Sequence, residues 1–217
     1  MKDRGALFAA VAIGAAVTLT ACGAKTADYS QIWASSTTSA APVTAASTSP
    51  TPIAQYLSGV GVTGQQVALD TLTDLTVTLP RPPGWTTYAN PNFSRGTEAI
   101  AKNNTYPTAM VMVFKLDGNF DIPAALEHAD DDAEMSKNFT RLNYSNDDFG
   151  GFPSSMIEGS YDHTGTRLHT YNRIVFPVTS KFGRYLVQFT VTTLATQAAA
   201  AAPDVQKIIE GFSVTVK

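Results

Sequence analysis

The chain has 217 residues, of which 44% are hydrophobic and 15% are charged. Its 15 basic and 18 acidic side chains give a net charge of −3, with no basic stripe that would bind a phosphate backbone. The composition therefore argues against a nucleic-acid partner. A single cysteine, Cys22, excludes an intramolecular disulfide framework and any site built from several cysteines.

The first 21 residues have the layout of a secretory signal peptide. Lys2 and Arg4 form a basic start, an apolar run follows at 6–17, and small residues precede Cys22. The uncharged stretch is too short and small-sided for a spanning helix, which needs about 20 strongly apolar residues. Its end, 19–22, resembles a bacterial lipobox, in which the cysteine thiol accepts a diacylglycerol and becomes the first residue after cleavage. We therefore expect secretion across the plasma membrane and anchoring to its outer face through Cys22.

The segment after the cysteine is a predicted tether. Between residues 34 and 52, every residue except Val43 is Ala, Ser, Thr or Pro. Such a segment has too few bulky apolar groups to offset the entropy of ordering. Two interpretations stay open, a plain spacer and an O-glycosylated stalk. The predicted organisation is a signal peptide at 1–21, a lipidated and disordered tether at 22–52, and a globular domain at 53–217.

The globular part predicts an α+β fold. Alternating and apolar runs indicate strands, and apolar residues at helical spacing indicate helices. Because helices and strands occur in no βαβ repeat, we expect a mainly antiparallel β-sheet flanked by helices. In chain order, the predicted elements are a helix at 51–57 capped by Thr51, a strand at 75–79, a strand at 107–115 that is apolar on both faces, a helix at 121–139, strands at 154–162, 166–176 and 184–193, and a helix at 197–212.

Several stretches carry a family resemblance that covers essentially the whole chain. They are the lipobox, the tether, the strand exit Leu79-Pro80 with Pro83-Gly84-Trp85, and residues 106–110, 151–157, 167–170 and 172–177. The chain resembles the mycobacterial LpqN/LpqT lipoprotein family, and its LpqT branch in particular. The strand exit is shared more loosely with the PsbP/Mog1-like fold. The resemblance implies a PsbP/Mog1-like sheet and an envelope lipoprotein without an established catalytic activity. It also implies an accessory role in envelope lipid transport or host interaction.

The residues offer little for catalysis. Ser155, His169 and Asp162 can be drawn as a nucleophilic set, but nearness in sequence is weak evidence for a triad, which is defined in space. His128 and Asp132 stand at i and i+4 on the predicted helix, a spacing that chelates metal weakly. The competing interpretation is a solvated acidic helix face. We therefore expect no enzyme, no metal site and no cofactor.

Two sets of residues are candidates for binding. Methionine suits irregular apolar ligands, and a groove of methionine and aromatic side chains is predicted, although most of these residues must also serve the core. Three arginines on successive predicted strands are candidates for one basic patch, unless each pairs with a local carboxylate. The candidates are Tyr106, Met110, Met112, Phe152 and Met156, with Phe93, for the groove, and Arg167, Arg173 and Arg184 for the patch.

Two functions follow from these candidates. The first is a membrane-anchored, non-enzymatic interaction module that binds an envelope protein or a transporter, and it predicts an exposed apolar patch with a polar rim. The alternative is a carrier that holds an envelope lipid or glycolipid in a closed apolar pocket.

Overall fold

The computed structural model describes residues 49–217, which form four α-helices and ten β-strands. The helices are α1 (Ile53–Gly59), α2 (Ile122–Leu126), α3 (Asp131–Glu134) and α4 (Ala198–Gly211). The strands are β1 (Thr63–Val67), β2 (Leu75–Thr78), β3 (Trp85–Thr87), β4 (Glu98–Lys102), β5 (Thr105–Asp117), β6 (Thr140–Ser145), β7 (Ser154–His163), β8 (Thr166–Val175), β9 (Arg184–Leu194) and β10 (Ser213–Val216).

The strands form one large antiparallel sheet and one small one. The large sheet has the order β3-β4-β5-β9-β8-β7-β6, and β1 pairs with the second half of β5 on the same side as β4. β2 and β10 make a separate antiparallel pair. The expectation of an α+β fold with a mainly antiparallel sheet is confirmed.

Local sequence explains the central strands. The apolar run of β5 is buried on both faces from Val111 to Phe114, as a strand between two covered faces requires. β7 and β8 form a hairpin whose turn places Thr164 and Gly165 at φ of 46° and 80°. Two successive positive φ values match the right-handed twist of the paired strands, so the turn fixes the register of the hairpin.

Each face of the large sheet has its own cover, because side chains alternate between faces along a strand. The α4 face is covered by α4 and by the β2–β10 pair, and its core includes Val111, Val187, Phe189, Ile208 and Phe212. The α1 face is covered by α1 and by the segment that contains α2 and α3, and its core includes Leu57, Met112, Phe114, Ile174 and Leu186.

The single helix predicted at 121–139 is wrong, because the segment forms two short helices. Asp121 caps α2 as its side chain accepts a hydrogen bond from the amide of Ala124 at 2.8 Å. The helix then ends before the run of three aspartates, which make separate contacts. Asp130 pairs with Arg141 at 3.3 Å, while Asp131 and Asp132 accept hydrogen bonds from backbone amides near the start of α1. Adjacent like charges and the low helix propensity of aspartate favour this break.

These same aspartates correct the predicted start of α1. A helix begins near the expected position, but Thr51 does not cap it. Its amide instead donates to Asp131 Oδ2 at 2.8 Å, and the amide of Ile53 donates to Asp132 Oδ2 at 3.4 Å. Carboxylates from a distant part of the chain therefore satisfy backbone donors that a local side chain was expected to satisfy.

The predicted signal peptide, Cys22 and almost all of the predicted tether lie outside the described residues. Within 49–217, no helix has the length and apolar character needed to cross a membrane.

Candidate binding site around Arg173

The three candidate arginines do not form one patch. Arg167 and Arg173 lie on β8 and share the α4 face, but six residues separate them, which is about 20 Å along a strand. Arg173 pairs across strands with Phe189, whereas Arg184 is an odd number of residues from Phe189 and points to the α1 face. Parity and register therefore correct the predicted patch.

The other two candidate arginines, Arg167 and Arg184, each bind groups close to them. Arg167 donates to Asp162 Oδ1 at 3.1 Å and also bonds to Ser160 and Thr140. Arg184 donates to the carbonyl oxygen of Phe120 at 3.2 Å and lies over its ring. Arg167 thus matches the competing interpretation of an arginine paired with a local carboxylate.

The predicted apolar groove is also split between the two faces. Met110 and Met112 pair with Thr190 and Gln188 and therefore face α1, while Met156 pairs with Arg173 and faces α4. Met112 is only 1% exposed in the core of the α1 face. Met110 is half-buried at the border of that core.

The aromatic candidates are dispersed as well. Tyr106 is half-buried near the start of β5, where burial raises the pKa of its hydroxyl. Phe93 lies in the loop between β3 and β4, against the ring of Tyr88 at 5.8 Å. Phe152 packs against the core of the α4 face. The structure therefore places Phe152, Met156 and Arg173 on the α4 face, apart from Met110 and Met112 on the α1 face.

Around Arg173, aromatic rings form a continuous stack, the arginine–aromatic cluster, which consists of Arg173, Phe149, Phe212, Phe189 and Tyr171. The guanidinium carbon lies 4.7 Å from the ring centre of Phe149. Phe149 stacks on Phe212 at 5.4 Å, and Phe212 stacks on Phe189 at 4.1 Å. Tyr171 meets Phe189 edge-on at 5.9 Å, which places it beside the arginine again. The rings fix the plane of the guanidinium and contribute cation–π attraction.

Two hydrogen bonds orient the same guanidinium. Nε donates to the hydroxyl of Tyr171 at 2.8 Å, and a terminal nitrogen donates to Ser154 Oγ at 2.9 Å. Ser154 is fully buried and donates onward to the carbonyl oxygen of Asp147 at 2.6 Å. An arginine has five N–H donors, so three remain after these two bonds. Within residues 49–217, no carboxylate forms an ion pair with Arg173.

Of the arginine–aromatic cluster, sequence reasoning identified Arg173 and missed the four aromatic members. Tyr171 stands two residues before Arg173, a spacing that places both on one face of a strand, so strand parity was the available signal. Phe149 and Phe212 had no such signal. Phe149 comes to the site through a tight turn in which Gly150, at a φ of 61°, approaches the carbonyl oxygen of Val214.

The structure separates the residues of the drawn catalytic set. Ser155 lies on the α1 face, where its hydroxyl is buried without a hydrogen-bond partner in the described chain. His169 lies on the α4 face, and its Nε2 pairs with Glu158 at 3.1 Å. Asp162 contacts Asn138 and Arg167, and the hydrogen bond from Asn138 is the main cause of its lowered pKa. These three side chains do not meet.

The predicted metal pair of His128 and Asp132 does not form, because the helix that was to carry both residues is broken between them. His128 Nδ1 pairs with Asp131 at 2.9 Å instead of lying one turn from Asp132. Burial raises the pKa of Asp130 and of Asp132. Asp130 contacts Arg141, and Asp132 accepts a hydrogen bond from the amide of Ile53. In the described part of the chain, no group of three His, Cys, Asp or Glu side chains is arranged to hold a metal.

Comparison with known proteins identifies the family. The sequence profile of the family described as "Probable lipoprotein LpqN" matches residues 49–215. The chain is 52% identical to LpqT of Mycobacterium tuberculosis, a protein named as a lipoprotein, over 97% of this chain and 94% of that one. The chain belongs to the LpqN lipoprotein family. The expected resemblance to LpqN/LpqT lipoproteins is thereby confirmed.

A solved structure shows the same fold. The crystal structure of LpqN, described as involved in cell envelope biogenesis of Mycobacterium tuberculosis, aligns with a TM-score of 0.66 at 20% identity, covering 76% of this chain and 98% of that one. PsbP of Synechocystis aligns more weakly, with a TM-score of 0.40 at 12% identity, covering 67% of this chain and 94% of that one. The LpqN family is one of lipoproteins, which places its members in the cell envelope with a lipid anchor, and it is not a known enzyme family.

Proposed function

We propose that this LpqN-family protein is a non-enzymatic binding module, held by lipid at Cys22 on the outer face of the plasma membrane, in which Arg173 binds an acidic group of an envelope protein or transporter. The observation that carries the proposal is the state of Arg173. Its guanidinium is half-buried, oriented by Tyr171 and Ser154, and not neutralised by a carboxylate of the described chain. Arg167 and Arg141, in contrast, both pair with acidic side chains.

The remaining donors of Arg173 suit a carboxylate or phosphate. A guanidinium presents its N–H groups as a planar fork that matches such groups with two parallel hydrogen bonds. Phe149 lies against the guanidinium, and Phe152 is joined to Phe149 by two backbone hydrogen bonds. Both rings are half-buried and offer apolar contact near the charge. An acidic loop with a neighbouring apolar side chain fits this combination, which is the polar and apolar mixture typical of interfaces between proteins.

The alternative of a lipid or glycolipid carrier has less support. A carrier needs an apolar pocket, but the candidate lining residues Met112 and Met156 are packed into the two cores at 1% and 8% exposure. Their side chains fill space that a ligand would need. An accessory role in envelope lipid transport or in host interaction fits a module that binds a partner, and it forms part of the proposal.

Photo-crosslinking in the native envelope tests this function. The photoreactive residue p-benzoylphenylalanine replaces Phe152, once with Arg173 present and once in combination with Arg173→Met. We expect a discrete adduct with an envelope protein that is lost in the Arg173→Met chain. The same probe at Tyr88, which lies outside the arginine–aromatic cluster, is the matched control. A lipid adduct at Phe152 favours the carrier. A protein adduct that persists in the Arg173→Met chain, or the absence of any adduct, contradicts the proposed site.

The anchor has a separate test. Cys22→Ala removes the thiol that accepts the lipid, so we expect the variant to leave the membrane fraction while the original chain stays there. Mass spectrometry of the original chain should show Cys22 as the first residue, carrying acyl chains. An unmodified Cys22 in a membrane-bound chain contradicts lipidation, and it leaves the proposal for Arg173 unaffected.

A further inference from the structure

An aromatic side chain projects from one end of the sheet without cover. Phe182 lies in the connection between β8 and β9 and is 87% exposed, more than any other large apolar side chain of the described chain. Scattered exposed apolar residues are normal on protein surfaces, so the exposure of Phe182 gains meaning only together with its backbone and its neighbours. Val178, in the same connection, is 38% exposed.

The backbone at Phe182 is in an uncommon conformation. Its φ is 60°, in the left-handed region that bulky L-residues rarely adopt. Such a conformation persists where the surrounding structure enforces it, and it is found at sites of function. A small polar residue would occupy this position at less cost, since asparagine and glycine tolerate positive φ.

Hydrogen bonds hold the tip in this shape. The amide of Phe182 donates to the carbonyl oxygen of Thr179 at 2.8 Å, and the amide of Thr179 donates to that of Gly183 at 2.9 Å. The buried hydroxyl of Thr179 also accepts a bond from the amide of Gly183 at 3.1 Å. The turn therefore presents Phe182 outward on a fixed base and does not let it fold back onto the core.

The charges around the tip favour an anionic surface. Lys181 is exposed directly beside Phe182. The carboxylate of Asp74 is held at the base of the turn, where it accepts a hydrogen bond from Tyr185 at 2.8 Å, so Lys181 is the charged group at the tip itself. A cationic side chain next to an aromatic one suits the headgroup region of a membrane, where the ring enters the interface and the lysine meets anionic lipid.

The described chain also begins within reach of this end. The amide of Thr51 is bound to Asp131, and α1 follows directly. Two residues after the end of α1, Gly61 approaches Gly118 just beyond the end of β5. That strand end pairs with β9 beside the Phe182 turn, since Leu116 is opposite Arg184. A helix of seven residues spans about 10 Å. The stretch from Cys22 to residue 50 reaches several times that distance when extended.

We propose that the Phe182 tip inserts into the interface of the lipid bilayer, with Lys181 against anionic headgroups, so that the domain lies on the membrane at this end. The proposal rests on the proposed anchor at Cys22, which brings the membrane within reach of the tip. In this orientation the domain has a defined side toward the lipid, so it does not rotate freely on its tether.

A fluorescent label next to the tip tests the insertion. Because lipidation consumes Cys22, Ser180→Cys gives the full lipidated chain one free thiol, which is labelled with the environment-sensitive fluorophore NBD. The chain is reconstituted in vesicles of phosphatidylcholine and phosphatidylglycerol. We expect a several-fold rise in emission with a blue shift, and quenching by spin-labelled lipid.

Two matched chains complete the design. The same label in a chain that also carries Phe182→Ser should lose the rise in emission, and Lys181→Gln should weaken it only in vesicles that contain phosphatidylglycerol. The control is a label at Leu142→Cys on strand β6. Leu142 is also an exposed apolar residue, at 60%, but it lies away from the tip, so its label should remain in water.

The outcomes separate this proposal from the anchor. A water-like label at residue 180 in vesicle-bound chain overturns the insertion, as does a rise that persists without Phe182. A rise that needs envelope protein and not lipid would show a protein partner and would also overturn it. If mass spectrometry finds Cys22 unmodified, the anchor fails, and titration of the labelled Cys22→Ser chain with vesicles decides the tip by the same emission change.

Discussion

The two ends of strand β8 carry arginines in opposite situations. Arg167 lies near the β7–β8 turn, where Asp162, Ser160, Thr140 and the backbone of Asn138 accept its hydrogen bonds. Arg173 lies six residues away on the same face, among rings, with a tyrosine and a serine as its recorded acceptors. The guanidinium of Arg167 makes four hydrogen bonds and is paired with a carboxylate, whereas that of Arg173 makes two and has no carboxylate partner in the described residues.

This difference shows what distinguishes a structural arginine from a candidate binding arginine. Both are partly buried strand residues of the same type on the same face, so residue type and strand position do not separate them. Their neighbours do. The carboxylate at Asp162 neutralises Arg167 inside the fold, while the aromatic stack orients Arg173 without neutralising it.

The largest effect is expected from removing the ring of Phe212, because it connects the two other phenylalanine rings of the arginine–aromatic cluster. Phe212 is 3% exposed and lies between Phe149 and Phe189. We expect Phe212→Ala to lower the free energy of unfolding by about 3–5 kcal/mol, because it leaves a cavity in the core of the α4 face. Urea unfolding of the purified protein measures this loss. Phe182→Ala is the control, with a change within about 0.5 kcal/mol because that ring contacts solvent. Equal losses would contradict the assignment of the two rings.

In the β7–β8 hairpin, which carries Arg167, Gly159 has no room for a side chain. A Cβ at Gly159 would lie 2.4 Å from the ring of Phe139 and 2.7 Å from the carbonyl oxygen of Thr140. We expect Gly159→Ala to destabilise the protein by about 1–3 kcal/mol through overpacking, measured by urea unfolding. Gly59→Ala at the end of α1 has no heavy atom within 4 Å and should not destabilise it. A neutral Gly159→Ala would show that Phe139 moves away without cost.

A smaller change sharpens the description of Arg173 itself. Tyr171→Phe keeps the ring and removes the hydroxyl that accepts from the guanidinium. We expect a loss of about 0.5–1.5 kcal/mol in thermal or urea unfolding, because a partly buried donor loses its partner. Tyr144→Phe is the matched control, since Arg141 lies over the ring of Tyr144, 5.0 Å from its centre, and the substitution keeps that ring. A Tyr171→Phe chain as stable as the original would mean that the rings alone orient Arg173.

The sequence predicts the long central strands and the last helix because their patterns are strong. The strands β5, β7, β8 and β9 and the helix α4 are each ten residues or longer and contain apolar runs or clear periodicity, and each is found near its predicted place. The short strands β1 and β6 are not predicted from the pattern of apolar residues. β6 is exposed along most of its length and β1 is mostly polar, so neither shows the alternation that a covered strand has.

The site is less predictable than the fold because it depends on register between strands. That Arg167 and Arg173 share a face follows from their spacing, but the face of Arg184 depends on how the connection 176–183 sets the pairing of β8 with β9. Phe212 lies between α4 and β10, and the sequence predicts this position only as the end of a helix. The break after α2 has the same origin, since three aspartates contact groups that are distant in sequence.

The smallest expected effect compares the two arginines by acid titration. The hydrogen bond from Asn138, and then Arg167, lower the pKa of Asp162 below its ordinary value of 3.8. A lowered pKa in the folded state means that Asp162 stabilises the protein above 3.8 and that this contribution is lost as the pH falls through the lowered value. Arg167→Met should therefore reduce the stability lost over this acid range.

Arg173→Met should leave the acid-range loss unchanged, because no carboxylate in the described residues pairs with that arginine. Urea midpoints of the three chains, measured at a series of pH values on both sides of 3.8, provide the comparison. If Arg173→Met flattens the acid dependence as Arg167→Met does, then a carboxylate neutralises Arg173 in the folded chain. Its donors would then serve the fold, and the distinction between the two ends of β8 would be lost.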